Sequence, residues 1–138
     1  MNRVDLQNLA ELRLKEAKIL LDAASYPGAF YLAGYAVECA LKACIAKRTK
    51  EHDFPDKDIV NKSYTHKLGD LVKLAELKEK LDAEMSPNKR LEQFWAWVVD
   101  WDETRRYELG VVEKEARDLY QAIADPTDGV LQWLKKFW

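Results

Sequence analysis

Apolar residues recur along this chain at the spacing of amphipathic helices, and one stretch is apolar on nearly every side. That stretch runs from Gly28 to Ile45, and only Glu38 and Lys42 interrupt it with charge. A helix of this kind belongs in the middle of a bundle, because it has no polar face to turn toward water. Two charges within about 18 residues also make it a poor membrane span. We therefore predict the central helix of a soluble bundle that does not contact a membrane.

The other helices are predicted from the same spacing and from the helix-breaking residues between them. Pro27 and Gly28 are predicted to stop the first helix and turn the chain. After the central helix and the charged residues that follow it, Phe54-Pro55 is predicted to break the helix, and the polar residues up to Tyr64 are predicted to form a loop. The predicted helices cover residues 4–24, 28–45, 65 or 66 to 84, 88–101, 111–124 and 128–138. With no alternating strand pattern, the fold class is all-α. We expect residues 1–138 to form one domain, an up-and-down bundle of about five helices plus a short C-terminal helix.

The charge balance and the cysteines narrow the possible environments. Lys and Arg number 22 against 24 Asp and Glu, a formal net charge of −2, so any nucleic-acid contact must come from a local basic patch. Cys39 and Cys44 point in different directions on one apolar helix, as free thiols in a reducing cytosol do. The N-terminus lacks the apolar core of a signal peptide, so we predict a cytoplasmic protein. With only two histidines, no metal-ligand spacing appears, and we expect neither a metal nor a cofactor.

Glu38 and Lys42 are the first candidate site residues. They lie four apart with the acid on the N-terminal side, the favourable order for a helical ion pair. In an apolar helix such a pair is costly unless further groups satisfy it. The alternatives are an ion pair at the bundle surface, or one that holds a loop, and a ligand-binding pair.

His66 is the second candidate, because it opens the third predicted helix. It could donate a hydrogen bond to Glu38 and fix the long loop against the central helix, or it could act as a general acid or base near neutral pH. The other histidine, His52, lies in a charged stretch and is expected to be solvated.

Arg105, Arg106 and Tyr107 form the third cluster. An arginine here could pin Glu38 or Asp102, or bind a phosphate in a forked geometry. The five tryptophans, some of which follow a helical stripe before this cluster, could stack on bases, but at helical spacing they favour core or dimer-interface positions.

These clusters together resemble the HEPN (higher eukaryote and prokaryote nucleotide-binding) domain family. The likeness lies in Glu-Cys-Ala-Leu-Lys-Ala at residues 38–43, in His-Lys-Leu-Gly-Asp-Leu at 66–71, and in the pair Arg106-Tyr107. It covers the chain from about Arg13 to Tyr120.

The resemblance implies a helical bundle, usually a homodimer, with one of two activities. Many relatives work with a minimal nucleotidyltransferase, often as toxin–antitoxin pairs, and others are metal-independent RNases with an Arg-x4–6-His motif. This chain departs from that motif, since Arg48 and His52 are too close in sequence and no histidine follows Arg106. Our first hypothesis is therefore a non-catalytic nucleotidyltransferase partner that binds nucleotide or RNA near Glu38, Lys42, His66 and Arg106.

Two alternatives stay open. In an RNase toxin, His66 would act as acid or base and Arg106 would hold the scissile phosphate. In a structural dimerisation module, the same residues would only lock the bundle.

Overall fold

The computed structural model describes residues 1–51 and 56–138, apart from the side chains of Lys50 and Glu51. In these residues all regular secondary structure is helical and there is no strand, which confirms the predicted all-α class. A 3₁₀ helix spans Glu103–Tyr107 between the sixth and seventh α-helices. The α-helices are α1 (Arg3–Asp22), α2 (Tyr26–Glu51), α3 (Lys57–Lys62), α4 (Leu68–Leu74), α5 (Lys78–Met85), α6 (Lys89–Val99), α7 (Glu113–Ala124) and α8 (Val130–Leu134).

Helix α2 is the centre of the bundle, as the sequence predicted. It packs against α1, α4, α7, α8 and the 3₁₀ helix. Five of its buried residues are alanines, which let neighbouring helices approach closely. The span Tyr26–Thr49 is long and apolar enough to cross a membrane, but 72 % of its apolar window is buried inside the fold. Protein neighbours therefore cover the apolar surface of this helix.

The turn between α1 and α2 differs from the prediction. Helix α1 ends at Asp22, and Ala24 adopts a left-handed conformation with φ 59°. The amide of Ser25 bonds to the carbonyl of Leu20, which gives the helix a Schellman-type end. Pro27 therefore does not stop α1; it lies in the first turn of α2, where its missing N–H costs nothing.

The third predicted helix is two helices, α4 and α5. Glu76 takes φ 54°, and the amide of Leu77 bonds to the carbonyl of Val72, another Schellman-type end. The helically spaced apolar residues on both sides of the break are nevertheless buried: Leu68, Leu71, Val72, Ala75, Leu77 and Leu81. The loop predicted before Tyr64 contains the extra helix α3, whose N-cap Asp56 accepts from the amide of Asp58 at 2.9 Å. The predicted count of helices was therefore too low.

Trp101, which follows the C-cap of α6, packs against the central helix. Trp101 is buried and stacks on Tyr31 with ring centroids 5.8 Å apart. A Cβ at Gly34 would lie 2.3 Å from three atoms of the indole ring, so only glycine allows this approach. The chain turns into the 3₁₀ helix directly after Trp101, which ties that segment to α2.

Candidate functional site

Glu38 is the buried anchor of the candidate site. It is 2 % exposed and is the only buried charged residue among those the structure describes. Its Oε1 lies 2.9 Å from Nδ1 of His66, and its Oε2 lies 3.4 Å from Nζ of Lys42. The predicted ion pair and the predicted contact from His66 to the central helix are both present. A buried carboxylate is stable here because two cationic or donor groups satisfy it.

The Nε2 side of the His66 ring faces the 3₁₀ helix. Nε2 of His66 lies 3.6 Å from Oε2 of Glu103, so the ring stands between two carboxylates. The imidazole side chain is 42 % exposed. Because Nδ1 faces Glu38, Nε2 is the nitrogen that remains available to a proton or a ligand.

Asp102 begins the 3₁₀ helix. Its carboxylate accepts from the backbone amide of Thr104 at 2.8 Å and from the hydroxyl of the same residue. The hydrogen bond from the Thr104 hydroxyl lowers the pKa of Asp102. Asp102 thus caps the segment that carries both arginines.

Arg106 and Tyr107 lie on the solvent side of the segment. Nη2 of Arg106 donates to the Tyr107 hydroxyl at 2.6 Å, and the guanidinium lies 4.7 Å from the ring centroid. This hydrogen bond raises the pKa of Arg106. Tyr107 is 71 % exposed. Arg106 therefore contacts its neighbour, and it does not pin Glu38 or Asp102 as the sequence had suggested it could.

Arg105 holds the segment to the bundle. Its guanidinium stacks 4.5 Å above the ring of Phe30 on α2, and Nη2 lies 3.8 Å from Glu115 on α7. Nε lies 3.1 Å from Glu108, although without hydrogen-bond geometry. Planar stacking of this kind suits arginine better than lysine. Arg105 is a clamp between α2, α7 and the 3₁₀ helix, away from Glu38.

The cysteines lie in the same central helix and are both free and buried. Burial raises the pKa of Cys39 to about 11 and that of Cys44 to about 12. Burial likewise raises the pKa of Tyr35, which neighbours Cys39. These groups stay protonated near neutral pH and offer no nucleophile.

The predicted site residues fall into two groups. Glu38, Lys42 and His66 meet directly, and Glu103, which the sequence analysis did not select, joins them. Only the pattern of charges in the segment 102–107 could have suggested it. Arg105, Arg106 and Tyr107 share the 3₁₀ helix but face other partners.

The structure also locates the Arg48–His52 segment and the tryptophans that the sequence analysis considered. Arg48 pairs with Glu76 at 2.6 Å, whereas His52 and the Phe54-Pro55 break lie outside the described residues. Trp97 is exposed at the edge of α6, while Trp101 and Trp133 are core residues. No group of three or more metal-ligating side chains occurs within residues 1–51 and 56–138.

The family comparison agrees with the all-helical fold. The model of the HEPN domain matches residues 4–137, nearly the whole chain, and the chain belongs to the HEPN domain family. This membership gives the protein a nucleotide- or RNA-related role in general terms. No curated protein and no solved structure is significantly similar to the chain.

Proposed function

We propose that this chain is the non-catalytic binding partner of a minimal nucleotidyltransferase in a cytoplasmic two-component system of the toxin–antitoxin type. The surface that serves the enzyme is the exposed pair Arg106 and Tyr107 on the 3₁₀ helix. The observation that carries this proposal is the contact between Arg106 and the Tyr107 hydroxyl at 2.6 Å on an open surface.

The chemistry of this pair suits an acceptor of a nucleotidyl group. The Tyr107 oxygen would attack the α-phosphorus of a nucleoside triphosphate and form an O–P bond. The bond to pyrophosphate would break, pyrophosphate would leave with the electron pair, and a base of the enzyme would take the phenol proton. A guanidinium beside the attacking oxygen stabilises negative charge on that oxygen and on the incoming phosphate.

The electrostatics around His66 favour binding over RNA cleavage. Two carboxylates, Glu38 at 2.9 Å and Glu103 at 3.6 Å, flank the ring. A phosphodiester brought to this ring would meet their repulsion unless another cation compensated for it. Lys42 is already paired with Glu38. We therefore assign nucleotide or RNA contacts to Arg106 rather than to the ring.

A homodimer forms part of the proposal, and exposed apolar side chains on α1 support it. Val4, Leu12 and Ile19 are exposed and recur at seven- and eight-residue spacing, which places them along one stripe of the helix. A second copy could cover this stripe. Light scattering of the wild-type chain would give twice the monomer mass, and the variant Leu12→Asp would shift the measured mass toward the monomer.

The test of the partnership is affinity purification from the native host followed by mass spectrometry. We expect a nucleotidyltransferase at equal stoichiometry with the wild-type chain, and its loss with Arg106→Ala or Tyr107→Ala. The matched control is Tyr64→Ala, because Tyr64 is 73 % exposed and Tyr107 is 71 % exposed. Recovery of the chain without a nucleotidyltransferase, whether alone or with RNA, would contradict the proposal.

A metal-independent RNase is the second candidate, and one observation favours it. Glu38 contacts Nδ1 of His66 at 2.9 Å, as in a carboxylate–histidine pair of general acid–base catalysis, and Nε2 lies 3.6 Å from Glu103 on the half-exposed side of the ring. Arg106, which interacts electrostatically with Glu103 next to His66, would hold the scissile phosphate in this candidate.

The variant His66→Asn separates the two candidates. Asparagine can still donate a hydrogen bond to Glu38 at the position of Nδ1, but it cannot exchange a proton near neutral pH. Loss of RNA cleavage in a folded His66→Asn protein would support the RNase. Equal behaviour of this variant and the wild type toward RNA would leave the partner function as the better account.

A further inference from the structure

We infer that the pocket between α6 and α7 is a binding site for an organic cation, a primary ammonium or guanidinium group. The pocket has a volume of about 300 Å³, at the lower end of the range for small-ligand sites. It is separate from the Glu38–His66 cluster and is not part of the proposed partner surface. Its lining residues are Phe30, Trp97, Asp100, Trp101, Arg105, Glu115, Asp118 and Leu119.

Two helices present facing walls to this pocket. Trp97 lies on α6, Asp100 is the C-cap of that helix, and Trp101 follows directly after the cap. On α7, Glu115 and Asp118 are three residues apart. The C-terminal end of α6 and one side of α7 thus bring carboxylates and aromatic rings to the same pocket.

The charge of the pocket is negative. Its lining contains three carboxylates and one guanidinium, and Arg105 already lies 3.8 Å from Glu115. Asp118 pairs with Lys114 at 2.5 Å, but the lysine is largely exposed and such surface pairs are weak. Asp100 makes no ion pair within the described part of the chain, and it caps the C-terminus of α6, where the helix dipole is negative. A phosphate would be repelled here and a cation attracted.

The aromatic wall adds a second reason for a cation. Trp97 is 40 % exposed and lines the pocket together with the three carboxylates. Indole faces attract ammonium and guanidinium groups. The fold already uses this interaction in the same pocket, where the Arg105 guanidinium lies 4.5 Å above Phe30.

Two buried donors in the wall, Nε1 of Trp101 and Nε of Arg105, have no hydrogen-bond partner among the described residues. Nε1 of Trp101 is inaccessible to solvent and has no acceptor among the described residues. A ligand with a carbonyl oxygen near its cationic group could satisfy this donor after a small adjustment. A lysine or arginine residue of another protein has this combination, whereas a simple polyamine supplies only the cation.

The test uses the full chain with labelled tryptophan and follows the five indole N–H signals by NMR. The probes are N-acetyl-argininamide, which represents a residue in a protein, and agmatine, which represents a free amine. N-acetyl-citrullinamide is the neutral control of nearly the same shape. We expect saturable shifts of the Trp97 and Trp101 signals, with a dissociation constant on the order of 1 mM, and none with the citrulline compound. The Trp133 and Trp138 signals should stay in place.

The outcomes are distinct. Tighter binding of N-acetyl-argininamide assigns the site to a partner's basic side chain, and tighter binding of agmatine assigns it to a free amine. Asp100→Asn should weaken either probe about tenfold, and the surface variant Asp82→Asn should not. Equal shifts with the citrulline compound, shifts of all five indoles, or no saturation would overturn the inference. None of these results depends on a nucleotidyltransferase, so the two proposals can fail separately.

Discussion

The contact between Glu38 and His66 predicts an unusual cost for removing a half-exposed side chain. Surface substitutions usually change the free energy of unfolding by less than about 0.5 kcal/mol. His66→Ala should cost about 2 kcal/mol, because it leaves the buried Glu38 carboxylate with Lys42 alone, at 3.4 Å. The penalty arises from the buried acid and not from the lost histidine contacts.

A second background isolates this term. Glu38→Leu replaces the carboxylate by an apolar group of similar size, so no buried charge remains to be satisfied. In the E38L background, His66→Ala should cost less than about 0.5 kcal/mol, which gives a coupling free energy of about 1.5 to 2 kcal/mol. Urea denaturation of the four proteins measures all the terms.

An exposed pair provides the control cycle. Lys18 and Asp22 lie 2.5 Å apart on α1, with about half of each side chain exposed. Their coupling should be about 0.3 to 0.5 kcal/mol, as for other helical surface pairs. If His66→Ala costs the same in both backgrounds, or if the two cycles give equal couplings, the anchoring role of Glu38 is wrong.

Three further predictions concern packing, thiols and acid stability. Gly34→Ala should lower the free energy of unfolding by about 1 to 3 kcal/mol, measured by thermal melting, because the new Cβ would overlap the Trp101 indole ring at 2.3 Å. Gly110→Ala is the control: no atom lies within 4 Å of its new Cβ, so this variant should be neutral or slightly stabilising in the same measurement. Cys39 and Cys44, with pKa values raised by burial to about 11 and about 12, should resist a thiol reagent at pH 8 until denaturant is added, and rapid labelling of the native chain would contradict this. Backbone hydrogen bonds lower the pKa of Asp125, so its contribution is complete above the unfolded pKa of about 3.9 and is lost as the pH falls through the folded value. Asp125→Ala should therefore cost about 1 kcal/mol at pH 7 and less at pH 2, and a cost independent of pH would refute this assignment.

The core of the site was predictable because its signals are local. Glu38 and Lys42 stand in an otherwise apolar helix, so the charges needed a partner, and His66 opens the next apolar pattern. Burial of Glu38 then follows from the position of α2 in the bundle. These inferences needed only helical spacing and the cost of a buried charge.

The helix ends after α1 and α4 were not predictable in the same way. Both use a left-handed residue that is not glycine, Ala24 and Glu76, so the usual stop signal is missing. Tertiary packing determines where such a helix ends. After α4, for example, Leu77 is buried directly after the break.

The contacts of the 3₁₀ helix also could not be predicted from the sequence. Arg105 and Arg106 are neighbours of the same type, and no periodicity states which one clamps Phe30 and which one faces solvent. Glu103 meets His66 only because Trp101 fastens the start of the segment to α2. Long-range packing assigns these roles.

The central claim is that Tyr107 is presented to a nucleotidyltransferase, and peptide mass spectrometry tests it most directly. The chain would be incubated with the co-purified enzyme, Mg²⁺ and each of the four ribonucleoside triphosphates. The account predicts a nucleoside monophosphate on Tyr107, which Tyr107→Phe abolishes and Tyr64→Phe leaves unchanged. An unmodified chain, or an adduct that persists in the Tyr107→Phe protein, would contradict it.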